Sequence, residues 1–431
     1  MEVANAIKDM TAKDSFLSHF DLLDFSFDEE FSLDARNEAK ELIQWLDFPT
    51  SKTEYWKYTR VNKIIKGNYK VAAPENEIEI DLSVPTKNCV VLINGYFSEE
   101  LSFFVPQEGI EFSSLSDAKK SSNVLKEHFN SLVKKDEIFA VINSAYHQDG
   151  AFMHVEKNVQ AEEPYYILNL VDDENVVSNP RNFIFVEQGA NAKVVLKTIS
   201  TANSGSFTNM VSEIIVDRNA HFEINKIQDE ATDSFQIATE QVTQADDSTF
   251  KINTFTLNGA IVRNNLNIDS LGKNTMTYLN GLYPLKGKQH VDNHTYLLHR
   301  EPNGESHELY KGILGDASTG VFNGKVFVHR EAQKTNAFQS NANIVLTDTA
   351  TINSKPELEI YADDVKCSHG STTGQLDEEA LFYLRARGLS KESARAVLVN
   401  AFASDVVDMI GVEAVKDEIE KYIDDNYQGI K

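Results

Sequence analysis

The feature that most constrains this 431-residue chain is a pattern repeated through its middle. GANAKVVL sets small Ala192 two and four residues before Val194 and Leu196, and RNAHFEI sets Ala220 before Phe222 and Ile224. DDSTFKI repeats the arrangement with Ser248, Phe250 and Ile252, and GKNTMTYL with Asn274, Met276 and Tyr278. The small residues at 192, 220, 248 and 274 lie 28, 28 and 26 positions apart. Residues two apart on a strand face the same way, so each copy predicts a strand with two inward apolar side chains after a small-residue turn. Renewed at this interval, such strands suit a coil in which each turn covers the one beneath. A conventional antiparallel sandwich, with the spacing due to chance, is the alternative.

The pattern belongs to a longer β region. From about Asp149 the segments are short and alternating, rich in Val, Ile, Thr and Phe and punctuated by Asn, Asp and Gly. The period blurs past residue 290, yet GVFNGKVFVHR and ANIVLTD keep the alternation and predict strands to about Ile360. Before residue 148 the chain reads mostly as helix. Glu38, Ala39, Leu42, Ile43 and Leu46 recur at helical spacing until Pro49, and residues 122–146 return to that period. Between them, TEYWKYTR packs three aromatics, Tyr55, Trp56 and Tyr58, into four positions and predicts core or interface packing. CVVLINGYF predicts a short extended element with a turn at Asn94-Gly95, and Cys89 in it reads as buried packing.

At the far end, Asp377 predicts a helix N-cap with Glu378 and Glu379 in the first turn, and Gly388 a stop. Ser390 caps the next helix, where Ala394, Val397, Leu398, Ala401 and Phe402 form an apolar stripe. The expected organisation is a mostly helical domain over 1–148, a β core over 149–366 and a helical domain over 367–431. The fold class is mainly β.

Composition excludes several functions. No apolar run approaches the roughly 20 residues that span a bilayer, and the start, MEVANAIKDMTAKDSF, lacks the pattern of a signal peptide, so a cytoplasmic location is expected. Two cysteines far apart in sequence, Cys89 and Cys367, predict no structural disulfide there. A formal net charge of -25 disfavours binding to phosphate backbones.

One of the two cysteines stands in DDVKCSHGSTTGQLD, two residues before His369. In an extended segment Cys367 and His369 present sulfur and imidazole on one side. Three readings follow: a nucleophile with its base, half of a metal or iron–sulfur site, or a buried thiol beside a hydrogen-bonded histidine. A metal site needs about four ligands, and this motif supplies two. His290, His294, His299 and His307 lie upstream, but Pro302, Gly304 and strand-like surroundings argue against a helical ligand pair, so they read as ordinary surface or core histidines.

The run SKPELEIYADDVKCSHGSTTGQLDEEALFYLRARGLSKESARAVLVNAF resembles the C-terminal signature of the SufB/SufD family of iron–sulfur cluster assembly proteins. SHELYKGILGDASTGVFNGKVFVHREAQKTNAFQSNANIVLTD and TEYWKYTR support the resemblance upstream. Within the family, SufB-like chains carry a glutamate after the Cys-x-His and further cysteines; Gly370 and the scarcity of thiols here look like the SufD subtype.

The resemblance implies a right-handed parallel β-helix between helical end domains. It also implies a non-enzymatic scaffold that pairs with SufB through the β-helices and carries the SufC ATPase on its C-terminal helical region. A transient iron–sulfur cluster would form at the SufB interface, with His369 and Cys367 as the candidate metal ligands from this side, and ATP would enter only through SufC. The isolated chain could form a homodimer. The alternatives are a SufB-like cluster carrier, a homodimeric scaffold, or a β-helix hydrolase using Cys367 and His369.

Overall fold

The structure, a computed structural model, describes residues 11–72, 84–201 and 205–427. The first ten residues, which carry most of the stretch read for a signal peptide, lie outside the described residues.

The repeat builds a β-solenoid of about eight turns, with helices at both chain ends. Its strands form two ten-stranded sheets, and each coil contributes one strand to each. The strands His221–Asp229, Thr249–Thr256 and Met276–Leu285 stack in parallel in one sheet; Phe235–Gln244, Ile261–Ser270 and His290–His299 stack in the other. Between the sheets lies a continuous core that includes Val194, Ile224, Ile252, Leu279, Met210, Ile214 and Leu266.

Two of the four repeat copies are out of register with the sequence reading. Phe222 pairs with Phe250, as the spacing predicts, but Phe222 also pairs with Ala192, so the first copy is displaced by two residues and keeps its inward face. The fourth copy slips by one. Phe250 pairs with Thr277, which leaves Met276 37% exposed and turns Tyr278 outward, while Leu279 fills the core. A one-residue slip flips every side chain to the other face, and a short loop insertion suffices to cause it. Beyond 290 the period lengthens and does not end: the partners Met276, Glu305, Asn336 and Lys366 are 29, 31 and 30 residues apart.

The ends of the chain cover the outer faces of the sheets. Helices Glu30–Trp45 and Ile138–Tyr146 pack with Trp56, Phe16 and Phe139 against Phe207, Ile237 and Ile261 of the second sheet. The strands Cys89–Ile93 and Ile110–Ser114 also extend the sheets, so the N-terminal region is less helical than its composition suggests. Asn94 and Gly95 turn the chain back with positive φ, as the dipeptide predicts. Residues 122–146 are broken into two helices, Asn123–His128 and Ile138–Tyr146. Cys89 is fully buried, and both cysteines are free.

Asp377 caps Glu378–Ala386 by accepting from the backbone of Glu379 and Ala380. After it the chain forms two helices, Lys391–Val407 and Glu413–Tyr427, which lie on the first sheet. Lys311 reaches the Phe402 carbonyl at 2.7 Å and Asp405, and Lys197 reaches Glu418 at 2.6 Å. The face of Lys391–Val407 that packs is Ala396, Val399, Ala403 and Val406. The predicted stripe is met in part: its Ala394 is buried and its Phe402 packs against the same core, but Val397 and Ala401 are exposed. The helix is apolar on two sides, and the solenoid covers one.

TEYWKYTR pins the N-terminal region to the solenoid. Arg263 lies 4.1 Å from the Trp56 ring centroid and pairs with Asp292, both side chains being 2% exposed, and Thr59 donates to Asp292 at 2.5 Å. Removing one partner of a buried pair strands the other charge. Asp292→Ala is therefore expected to lower unfolding free energy by about 3–5 kcal/mol in urea titration. Lys355→Ala, which removes surface ion pairs to Glu54 and Glu357, should cost no more than about 1 kcal/mol.

Candidate functional site

Among the described residues, the last coil has a neighbour on one side only. Lys366–Gly374 ends the first sheet and Thr351–Ile360 ends the second, and among the described residues no strand pairs with their outer edges. Pro356 sits in the second of these, where a residue without an N–H is tolerated because an edge strand has a free side.

Cys367 and His369 lie on Lys366–Gly374, so the change from strand to helix falls after Gly374 and not at residue 367. Their inward direction is fixed by the ladder. Cys367 packs at the rim of the core between the sheets, and His369 reaches across to the opposite strand, where its Nδ1 lies 3.1 Å from the Pro356 carbonyl oxygen. Beside them Ser371 Oγ lies 2.7 Å from Ser354 Oγ, which in turn donates to Asn341 at 2.7 Å. These residues line the mouth of an open coil.

The Pro356 contact decides the imidazole's chemistry. A carbonyl oxygen only accepts, so the neutral ring carries its proton on Nδ1 and leaves the Nε2 lone pair free. No residue among those described bonds Nε2. A second partner that holds one nitrogen while the other is left bare is the usual arrangement of a metal-binding histidine. The Cys367 thiol is less ready: partial burial raises its pKa, opposed by the Ala337 backbone N–H, so it binds as thiolate only when a metal displaces its proton. No hydrogen bond joins Cys367 to His369 among the described residues.

Beneath the mouth lies a group that the sequence does not announce. Glu308, Gln339 and His369 occupy successive positions in one row of the ladder. Glu308 accepts from Thr295 at 2.6 Å and from Gln339 Nε2 at 2.9 Å, and full burial pushes its pKa up to about 7. The upstream histidines do not join this site. His290 bonds Thr59, His299 bonds Ser306 with burial pushing its pKa down to about 4, and His307 stacks between Tyr278 and Phe338. Among the described residues no three His, Cys, Asp or Glu side chains are grouped to hold a metal ion.

The description "SUF system FeS cluster assembly, SufBD core domain" matches residues 169–402, and "SufBD protein N-terminal region" matches 26–167. The chain belongs to the SufBD family. It is similar to an iron–sulfur cluster assembly SufBD family protein of Synechocystis, 32% identical over 92% of this chain and 91% of the relative. It is 29% identical to the iron–sulfur cluster assembly protein SufD of Escherichia coli, over 86% and 87% of the two chains. A SufBD family protein of Mycobacterium leprae is 32% identical over 67% of this chain and 74% of its own. The SufBD family works in iron–sulfur cluster assembly, and this member is SufD-like. No helix among the described residues is long and apolar enough to cross a membrane.

Glu308 sets a pH dependence of known sign. Its folded pKa, about 7, lies above the ordinary carboxyl value of 4.5, so the folded chain holds a proton that the unfolded chain has lost between these values. The Glu308 contribution therefore costs stability progressively as pH rises from about 4.5 to 7. Glu308→Gln should flatten that stretch of the stability curve and raise unfolding free energy at pH 8 by on the order of 2–3 kcal/mol, read by urea titration across pH.

Proposed function

We propose that this chain is a non-enzymatic scaffold subunit of SufD type, which acts in the cytoplasm and pairs through its open coil with a SufB chain. His369 is the ligand from this side of a cluster-assembly site, Cys367 is a weaker second, and SufB supplies the rest. The iron–sulfur cluster is cargo, assembled there and passed on.

The observation that carries this reading is the coincidence of an uncovered coil with an inward imidazole whose Nε2 lone pair is bare. An unpaired strand edge is a template for another strand. Two donors make half of the roughly four that an iron–sulfur cluster takes from its protein, which suits a site divided between two chains. In the absence of SufB the same edges would pair two copies of this chain. A hydrolytic Cys/His pair draws no support, since the thiol is raised by burial and unbonded to the imidazole.

SufC, and with it ATP, is assigned to the C-terminal helices. Phe382 is 75% and Tyr383 57% exposed there, and Val397 and Met409 are exposed in the same helical region. Large apolar side chains left exposed on these helices suit a partner surface better than water.

Anaerobic co-expression with SufB and SufC tests both assignments. His369→Ala should leave subunit stoichiometry intact and lower bound iron and sulfide by about tenfold or more; Cys367→Ser should lower them less. Iron at the wild-type level in an intact His369→Ala complex would remove this histidine from the site. The double change Phe382→Ser and Val397→Ser should weaken SufC capture by at least about tenfold without moving the chain's own stability by more than about 0.5 kcal/mol. Undiminished capture would move the ATPase elsewhere.

A further inference from the structure

A groove of 960 Å³ opens where three successive turns between the sheets meet the end of the TEYWKYTR segment. Its turns are those around Asp233, Ala260 and Lys288, and its other wall is Tyr58 to Lys63. In a chain of net charge -25, this groove is locally basic. Arg60, Lys63, Lys286 and Lys288 line it against only Asp233 and Asp316, a balance of four positive charges to two negative.

Three of the four cations are uncommitted. Lys286 donates to Asn426 at 2.7 Å, but Arg60, Lys63 and Lys288 have no partner among the described residues. Unpaired cations gathered at one concavity repel each other, and an anion seated among them removes that repulsion. Between them the wall is apolar, with Tyr58 and Phe235 presenting ring surface.

The groove wall also carries an imidazole acceptor beside its two carboxylates. Thr59 has a single hydroxyl proton, and the Asp292 carboxylate at 2.5 Å can only accept it. The 2.8 Å contact between Thr59 and His290 therefore places the imidazole proton on Nε2, which leaves His290, a residue of the groove wall, with a free lone pair on Nδ1. Cations, ring surface and a lone-pair acceptor in a space of this volume match a small ligand better than a polymer.

We propose that this groove binds a small phosphate-bearing ring compound of the nucleotide class, with the phosphate on Arg60, Lys63 and Lys288 and the ring against Tyr58 and Phe235. The site is independent of the open coil, and its fate does not depend on the scaffold reading.

Calorimetric titration of the whole isolated chain with AMP and with inorganic pyrophosphate tests it. AMP should bind at one site, more tightly than pyrophosphate, and more weakly as salt is added. Arg60→Ala with Lys288→Ala, both exposed positions, should weaken AMP by about tenfold or more, the effect of losing some 1.4 kcal/mol. Tyr58→Ala should weaken AMP and leave pyrophosphate unchanged. No binding of either probe, or binding indifferent to loss of the two cations, overturns the site. Pyrophosphate binding as tightly as AMP overturns the ring half of the proposal. Because the wild-type comparison of the two probes needs no variant, a variant that failed to fold would not rescue the idea.

Discussion

Parallel strands stacked in register make each coil the lid of the one before, and everything else in this molecule follows from that dependence. A coil's inward residues are dry only because the next coil lies on them. One register row shows how the chain uses the rule. It runs Val194, Ile224, Ile252, Leu279, Glu308, Gln339, His369. Four apolar residues give way to three polar ones as the open end approaches. An apolar row carried through to the last coil would leave a hydrophobic mouth that water cannot satisfy, whereas a polar row tolerates solvent at the mouth and offers donors and acceptors to whatever closes it.

The polarity has a price in the penultimate coils. Gln339 Oε1 is buried without a partner, and Glu308 is buried with no cation beside it. Deeper in the core, Lys226 and Glu240 satisfy each other at 2.8 Å, so a buried carboxylate does not by itself mark the mouth. Unlike Glu240, Glu308 takes its hydrogen bonds only from Thr295 and Gln339, neutral groups, as buried Glu230 does from Thr208, which leaves its protonation free to respond to pH. A carboxyl one row behind a candidate ligand histidine is electrostatically relevant to any cation that arrives there.

Much of this was legible. The repeat revealed stacked strands, Asp377 and Ser390 marked their helix starts, and the Cys-x-His spacing put both side chains on one face. Other features were hidden for identifiable reasons. The fourth repeat copy sits one residue from its predicted register because Met276 and Tyr278 have the pattern of a core pair, and only the neighbouring coil's register reveals that Leu279 is the buried residue. On the helix Lys391–Val407 the predicted stripe is buried only in part, at Ala394 and Phe402, because the helix carries two apolar faces and periodicity alone cannot say which the solenoid covers. The contact of His369 with Pro356 is made through a backbone carbonyl, to which the side chain's identity gives no clue. Pro356 did carry a readable signal, since proline inside an alternating run marks an edge strand.

Both coverings of the solenoid lock on their inner side and leave apolar side chains outside. On the second sheet, the N-terminal region locks through Trp56, Arg263, Asp292 and Thr59, a set in which Trp56, Arg263 and Asp292 have little exposed surface, while Phe27 and Trp45 stand in water. On the first sheet, the C-terminal helices bury one face and leave Phe382, Tyr383 and Val397 in water. Stability explains the inner contacts. It does not explain the outer ones, because exposed aromatics add nothing to folding, and a chain selected only for its own stability would make those positions polar. The open coil differs from these surface positions in kind, because there the missing element is a whole layer of strand pairing and core, which no single substitution to a polar residue replaces.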